Sequence, residues 1–310
     1  MSNIKIPLVK DTINEEDIDY LIEWLKTNPR LTKGEKTIEF EEKWSKWLGV
    51  KYSVFINSGS SANLAMIYAL MLSKRLKNKN IIVPSVSWVT TVSPVIQLGL
   101  NPILCECDKD TLGIDVEYFE NLCKKHNPSA LVIVHVLGFP NKMREIKEIC
   151  NKYGVILLED SCESVGSTYD GIKTGNFGDM SSFSFYYGHM MSTIEGGMIC
   201  TDDKELHNLL LSIRSHGWSR DLDLDKQQEL KNNHQISDFK SLYTFFYPGF
   251  NLRSTDLQAF IGINQLEKLD QNNTIRNQNF KLYQENIQNP YWKIKEFDNK
   301  WLSNCAYTII

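Results

Sequence analysis

The sequence predicts an α/β fold, a mostly parallel, seven-stranded sheet between helices, and three observations carry that prediction. Seven short β-rich runs recur between residues 52 and 200. Most are separated by helix-length segments with apolar periodicity, the kind of crossover that parallel strands require. At 310 residues the chain can bury a substantial core and add a smaller appendage to one large domain.

Two amphipathic helices open the chain. The first comes after Asn14 and places Ile18, Leu21, Ile22 and Leu25 on one face; the second carries Ile38, Trp44, Trp47 and Leu48. Both are expected to pack on the rest of the chain. The strands read as Tyr52–Ile56 and residues 81–83, 102–105, 130–136, 155–158, 182–186 and 198–200, with helices between them such as 61–72 and Met143–Tyr153. Ligands in sheets of this kind bind beyond the carboxyl ends of the strands. The polar stretch 221–240 reads as an exposed loop or weak helix. After Leu252, Ser254 or Thr255 caps a helix bearing Leu257, Phe260, Ile261, Ile263, Leu266 and Leu269, and a second helical stretch runs to about Ile287. The expected division is a large domain with N-terminal helices, 1–253, and linking helices that start a small C-terminal α+β domain, 254–310. That small domain reads as incomplete, because its strand-like end NCAYTII has no partner strand after it.

Composition excludes several classes. Lysine and arginine total 34 against 38 acidic residues, a balance of 34 − 38 = −4, so there is no basic field for nucleic acid. The chain lacks a charged opening with an apolar run behind it, and no segment reaches the roughly 20 apolar residues of a membrane span. The expected location is the cytoplasm, with no membrane partner. The seven cysteines are scattered through mostly apolar stretches and read as reduced thiols. The Cys105-x-Cys107 pair has no second pair or nearby histidine to complete a metal site, so no metal is expected.

Three motifs carry chemistry. In the first, Asn57-Ser-Gly59-Ser60-Ser61-Ala-Asn63 stands where an apolar strand ends and a helix begins. The glycine permits close backbone approach, and the amides and hydroxyls at a helix N-terminus favour an anion such as phosphate. The same turn also serves as a plain helix cap, and both readings stay open on these residues alone. The second motif, Val155-Ile-Leu-Leu-Glu-Asp160-Ser-Cys-Glu163, delivers an acidic pair at the end of a buried strand. A carboxylate there is costly unless something positive meets it, although a strand-end aspartate can also cap the next turn. The third motif runs from Ser182-Phe-Ser184-Phe-Tyr-Tyr-Gly188 through His189-Met-Met-Ser-Thr-Ile to Glu195-Gly-Gly-Met198.

Taken in this order, the motifs resemble the DegT/StrS family of sugar aminotransferases, fold-type I enzymes that use pyridoxal phosphate. The resemblance extends over nearly the whole chain. Val83-Pro-Ser-Val-Ser-Trp88 is similar to the family's aromatic platform, Arg214-Ser-His216-Gly to the segment after its Gly-Gly strand, and Gly249-Phe-Asn251-Leu-Arg253 to a stretch that crosses to a partner subunit. The resemblance implies that Gly59, Ser60, Ser61 and Ser184 cradle the cofactor phosphate, with Asn251 reaching in from the second subunit of a homodimer. It also implies that Trp88 stacks on the ring, Asp160 holds the ring nitrogen and Glu163 lies near the ring's hydroxyl. His216 and Arg253 are the expected contacts to substrate.

One position departs from the family pattern. Six residues before Glu195, where the family carries its Schiff-base lysine, this chain has His189, and no lysine occurs between 174 and 203. An imidazole cannot form that imine, yet with an ordinary pKa of about 6.5 it can move protons. His189 here resembles the histidine-bearing branch of the family, the sugar 3-dehydratases. That resemblance implies pyridoxal and pyridoxamine phosphate as cofactor forms, glutamate as amino donor and a nucleotide-linked 4-keto-6-deoxy sugar as substrate, with His189 as base. Another histidine-bearing branch resembles iron–sulfur proteins with a cysteine cluster in the later half; the absence of cysteine between Cys200 and Cys305 disfavours it. Two alternatives remain: a nucleotide-sugar aminotransferase that borrows another lysine, and an inactive cofactor-binding relative with a regulatory or scaffolding role. Of the other histidines, His135 reads as structural, and His126, His207 and His234 as surface residues.

Overall fold

A computed structural model describes residues 11–109 and 111–286. The expected end of the small domain, NCAYTII, lies outside the described residues, as does the last residue of the second C-terminal helical stretch.

The chain opens with α1 (Glu15–Lys26) and α2 (Glu35–Leu48). Asn14 caps α1 in a reciprocal capping box with Asp17, which satisfies two amides that a helix start leaves bare. The sheet then builds through β1 (Tyr52–Ile56), α3 (Gly59–Leu72), β2 (Asn80–Pro84), α4 (Val89–Gln97), β3 (Asn101–Cys105), α5 (Val116–His126), β4 (Ala130–Val134), α6 (Met143–Tyr153) and β5 (Ile156–Asp160). A two-stranded hairpin, β6 (Thr168–Tyr169) and β7 (Ile172–Lys173), precedes β8 (Met180–Ser184) and β9 (Gly197–Thr201). The chain continues with α7 (Lys204–Arg214), α8 (Leu224–Asn233), α9 (Asp238–Ser241) and α10 (Asp256–Asn286).

The main sheet has seven strands in the order β1-β9-β8-β5-β4-β2-β3. β9 runs antiparallel to both neighbours, and the pairs β8/β5, β5/β4, β4/β2 and β2/β3 are parallel. Helices cover both faces. α3 is apolar nearly all round because it lies between the sheet and α4 and α7, so it has no wet face to keep polar. α5 and α6 form the opposite layer over Ile82, Leu131, Ile133 and Leu157. A third cluster joins α2 and α10 to the sheet through Phe40, Trp44, Phe55, Phe183 and Phe185, with Trp44 and Phe185 4.8 Å apart in an edge-on arrangement.

Several expectations are corrected. The α1 face expected to pack is largely open within this chain, with Ile18, Ile22 and Leu25 exposed, and Ile38 of α2 is exposed as well. α1 is held instead by Trp24 stacked 4.6 Å from Phe260 and by buried Asp17, which meets Gln265 and Lys268 of α10. The two C-terminal helical stretches are one continuous helix, α10, because no glycine or proline interrupts the run after Gly262. For the 221–240 stretch the helical reading is the one realised: it forms α8 and most of α9, capped by Asp223 and Ser237 and largely exposed. β8 begins and ends two residues before the expected 182–186, and β4 ends at Val134. Among the described residues, no helix is long and apolar enough to cross a membrane.

Candidate active site

The parallel strands β4, β5 and β8 end together at one edge of the sheet, and a cavity of about 550 Å³ opens beyond them. Gly59, Ser60, Trp88, Asp160, Glu163, Ser184 and His189 all line it. Residues distant in sequence meet there because each sits at the end of a strand, at the start of the next helix or in the loop that follows a strand.

The phosphate-like turn forms where β1 ends. Ser58 caps α3, its hydroxyl accepting from the Ser61 amide at 3.1 Å. A Cβ added to Gly59 would stand 2.5 Å from Ser184 Cβ and 3.1 Å from Cys162 Sγ, so only glycine fits between the helix start and β8. Ser58 and Ser60 line the cavity at the positive end of the α3 dipole, with Ser60 Oγ donating to Thr90 Oγ1 at 3.4 Å. Ser61 is not in the lining; its backbone amide and hydroxyl are both engaged by Ser58, the hydroxyls 3.0 Å apart.

Strand alternation sorts the acidic pair at the end of β5. Glu159 points away from the cavity into a fully buried nest, accepting from the amides of Gly175, Phe177 and Gly178 and meeting His135 Nε2 at 3.0 Å. Asp160 points into the cavity and is 4% exposed. Its Oδ2 accepts from Asn63 Nδ2 and Thr91 Oγ1, both at 2.8 Å, and its Oδ1 from the Cys162 amide at 3.2 Å. All three donors are neutral, and among the described residues no lysine or arginine forms an ion pair with it. A buried carboxylate so placed leaves a negative charge for a cationic group in the cavity to meet. Glu163 accepts from the Leu137 amide at 2.7 Å, and burial pushes its carboxyl above the usual range, with Asp160 adding to the effect.

Trp88 ends the loop before α4 and is 70% exposed, which leaves an indole face at the cavity wall instead of in the core. His189 sits in the loop between β8 and β9, its amide donating to the Tyr186 carbonyl at 3.0 Å and the next two side chains, Met190 and Met191, fully buried as anchors. Burial pushes the imidazole down to about 4; Asp160 opposes that shift and Arg276 reinforces it. The ring is therefore neutral near pH 7, with a lone pair able to accept a proton.

Three further expected residues lie elsewhere in the chain. Asn251, His216 and Arg253 are not in the lining and gather in a cluster of their own, with Arg253 Nε donating to Asn251 at 3.2 Å and Nη2 3.4 Å from His216 Nε2. Pairing of Ser215 with Asn251 and of Ile56 with Arg253 holds that cluster against β1. Of the histidines expected at the surface, His207 is half-buried and stacks on Tyr52 at 4.6 Å. Asn63 and Thr91 were assigned no role from sequence. The available signal was a polar side chain inside an apolar helical run, which must find a partner once buried.

The residues present suit pyridoxal or pyridoxamine phosphate. The bare turn at Gly59 offers a phosphate cradle, the exposed indole a stacking wall, and Asp160 an unneutralised charge for a protonated ring nitrogen.

Residues 11–307 match the DegT/DnrJ/EryC1/StrS aminotransferase family. The chain is 36% identical over 297 residues to a GDP-4-keto-6-deoxy-D-mannose 3-dehydratase of Yersinia pseudotuberculosis, covering 94% of this chain and 75% of that protein. It is 37% identical over 298 residues to the enzyme of the same name from Escherichia coli O55:H7, covering 94% and 76%. A crystal structure of GDP-4-keto-6-deoxymannose-3-dehydratase with a trapped PLP-glutamate geminal diamine superposes with a TM-score of 0.87 at 36% identity, covering 96% of this chain and 78% of that one.

Proposed function

Because this chain belongs to the DegT/DnrJ/EryC1/StrS aminotransferase family, we propose that it is a pyridoxal/pyridoxamine phosphate-dependent dehydratase that removes the 3-hydroxyl of a 4-keto-6-deoxy nucleotide sugar. The observation that carries this reading is His189, an imidazole that lines the same cavity as Asp160 at the position where the family carries its lysine. The names of the two curated relatives support a guanosine diphosphate sugar as substrate; a place in deoxysugar synthesis for surface polysaccharide is part of the same proposal.

When bound, pyridoxamine phosphate supplies an amine for the sugar's 4-keto carbon and a ring that stores an electron pair. The chain's own residues do the rest. Gly59, Ser58 and Ser60 receive the phosphate, and Trp88 covers the ring face. Asp160, oriented by Asn63 and Thr91, keeps a proton on the ring nitrogen. His189 would take the proton from the cofactor's methylene carbon and give it to the departing 3-hydroxyl, which would leave as water. The nitrogen, supplied by glutamate, would leave as ammonia. With histidine at position 189, and among the described residues no lysine in the cavity lining, the family's lysine amine does not compete with the sugar for the cofactor.

The cluster of Asn251, His216 and Arg253 belongs to the same reading. Its separation from the cavity within one chain supports a homodimer in which each copy completes the other's site, and the proposed location is the cytoplasm.

The test is to incubate the protein with pyridoxal phosphate, glutamate and a panel of 4-keto-6-deoxy nucleotide sugars. Ammonia and a 3-deoxy-4-keto product are expected. An aminated sugar without ammonia would assign the chain to the aminotransferases, and no turnover of any sugar would overturn the enzymatic reading.

A further inference from the structure

Three carboxylates line the cavity, and two are committed. Asp160 is engaged by three donors, and Glu163 by the Leu137 amide. The third, Glu195, is exposed, and among the described residues its carboxylate has neither an ion pair nor a hydrogen bond. Among those residues, no lysine or arginine lines the cavity for it to neutralise. Its backbone, by contrast, is held firmly. The Glu195 carbonyl accepts from Gln258 Nε2 at 2.6 Å and from Thr193 Oγ1 at 2.9 Å. The residue before it, Ile194, has a φ of 71°, a left-handed conformation that a β-branched side chain rarely adopts. Ser192 Oγ accepts the Ile194 amide at 3.0 Å and fixes that turn, while the Ile194 side chain is 51% exposed and gains little from packing. After Glu195 the chain presses against the phosphate turn: a Cβ on Gly197 would stand 2.3 Å from the Ser58 carbonyl oxygen. Strain retained beside a cavity, with two side chains latching one carbonyl, sets the position of the adjoining carboxylate.

We propose that Glu195 is a substrate-binding residue whose carboxylate accepts hydrogen bonds from hydroxyls of the sugar ring, with Ile194 and Gln258 as its positioning residues. This rests on the nucleotide-sugar reading of the site. An ionised carboxylate is an acceptor only, with two oxygens that can take two neighbouring hydroxyls in charge-assisted hydrogen bonds. The aromatic wall of Trp88 and Tyr186 in the same cavity offers a surface for the apolar face of a sugar. The amino donor glutamate has no hydroxyl to offer and carries carboxylates of its own, so Glu195 gives the sugar an advantage that the donor does not share.

The two half-reactions separate these roles. Conversion of bound pyridoxal phosphate to the pyridoxamine form by glutamate is monitored by absorbance, and turnover of the 4-keto sugar by the preloaded pyridoxamine form is monitored by product. Glu195→Gln is expected to lower kcat/KM in the sugar half-reaction roughly tenfold or more, because a site built to bind a hydroxyl loses discrimination when the acceptor is weakened. The glutamate half-reaction should stay within about twofold. Gln258→Ala, which removes one latch, should show a smaller loss in the same half-reaction. Equal loss in both half-reactions, or no loss in the sugar step, overturns the proposal. Failure of the unmodified protein to form the pyridoxamine form or to turn over any sugar would instead refute the function on which it rests.

Discussion

Arg214 and Glu41, 2.5 Å apart and on different helices, jointly complete the hydrogen bonding of one peptide segment at the free edge of the sheet. β1 is an edge strand. The Phe55 amide donates to Glu41 Oε1 at 2.8 Å, and the Phe55 carbonyl accepts from Arg214 Nη1 at 3.0 Å, so the ion pair stands where a neighbouring strand would be. Asp221, 3.2 Å from Arg214, and Lys33, 3.1 Å from Asp221, extend the network. Removing one charge leaves the other buried, which costs about 3–5 kcal/mol, whereas removing both costs less. Arg214→Met should therefore lower the urea midpoint steeply, and Glu41→Gln with Arg214→Met should recover part of the loss. Strictly additive losses in the two single variants and the double variant would refute the pair.

Asn63 links the cavity to the core, since its Nδ2 donates to Asp160 at 2.8 Å while its Oδ1 accepts from the Ser182 hydroxyl at 2.6 Å. Asn63→Ala strands both partners, at a cost of about 1–3 kcal/mol for a buried polar group left unpaired. The expected result is roughly tenfold weaker binding of pyridoxal phosphate, read by absorbance titration, together with a lower thermal midpoint. Asp160→Asn should keep the shape of the site and lose turnover, because a neutral amide cannot hold a proton on the ring nitrogen. A fully active Asp160→Asn variant would remove that residue from its assigned role.

Legibility in the sequence depended on the reach of each signal. β5 was clear because an apolar run ends abruptly in Glu159-Asp160, and α6 because its apolar residues recur at helical spacing. The β6–β7 hairpin was missed although Asp170-Gly171 marks it: both residues have positive φ, 50° and 79°, the signature of a tight two-residue turn. Two-residue strands are too short for alternation to show. The α1 face failed for another reason, since periodicity states that a face is apolar and not what covers it. Trp88, Asp160 and His189 could be placed on one cavity because each ends or comes after a strand in one parallel sheet, whereas Thr91 and Asn63 needed distances to reveal their common partner.

His189 is open to a direct chemical test. If the chain never grips its cofactor covalently, borohydride will leave pyridoxal phosphate dissociable, and intact-mass spectra will show the bare polypeptide. A reduced lysine adduct would point to a borrowed lysine and the aminotransferase alternative. His189→Asn keeps a polar side chain of similar size without a group that takes up a proton near neutral pH. It should bind cofactor about as well as the unmodified protein and lose at least roughly 10²-fold in dehydration, the usual contribution of a positioned base. Retention of activity would assign the proton transfer to another residue.

The same neutral imidazole gives the stability a pH signature, and His207 shares it. Burial pushes both rings down to about 4, with Arg214 and Lys204 adding to the effect at His207. Between the ordinary histidine pKa of about 6.5 and about 4, the unfolded chain takes up protons that the folded chain refuses, so stability falls as pH falls through that window. Glu163 acts with the opposite sign, because its raised carboxyl lets the folded state bind a proton sooner. The informative quantity is therefore a difference between variants. His207→Gln, at a site stacked on Tyr52 and away from the cavity, should flatten the decline of the urea midpoint between pH 6.5 and 4.5 while leaving the midpoint near pH 7.5 less affected. Parallel curves for the two proteins would show that His207 stays equally accessible to protons in both states.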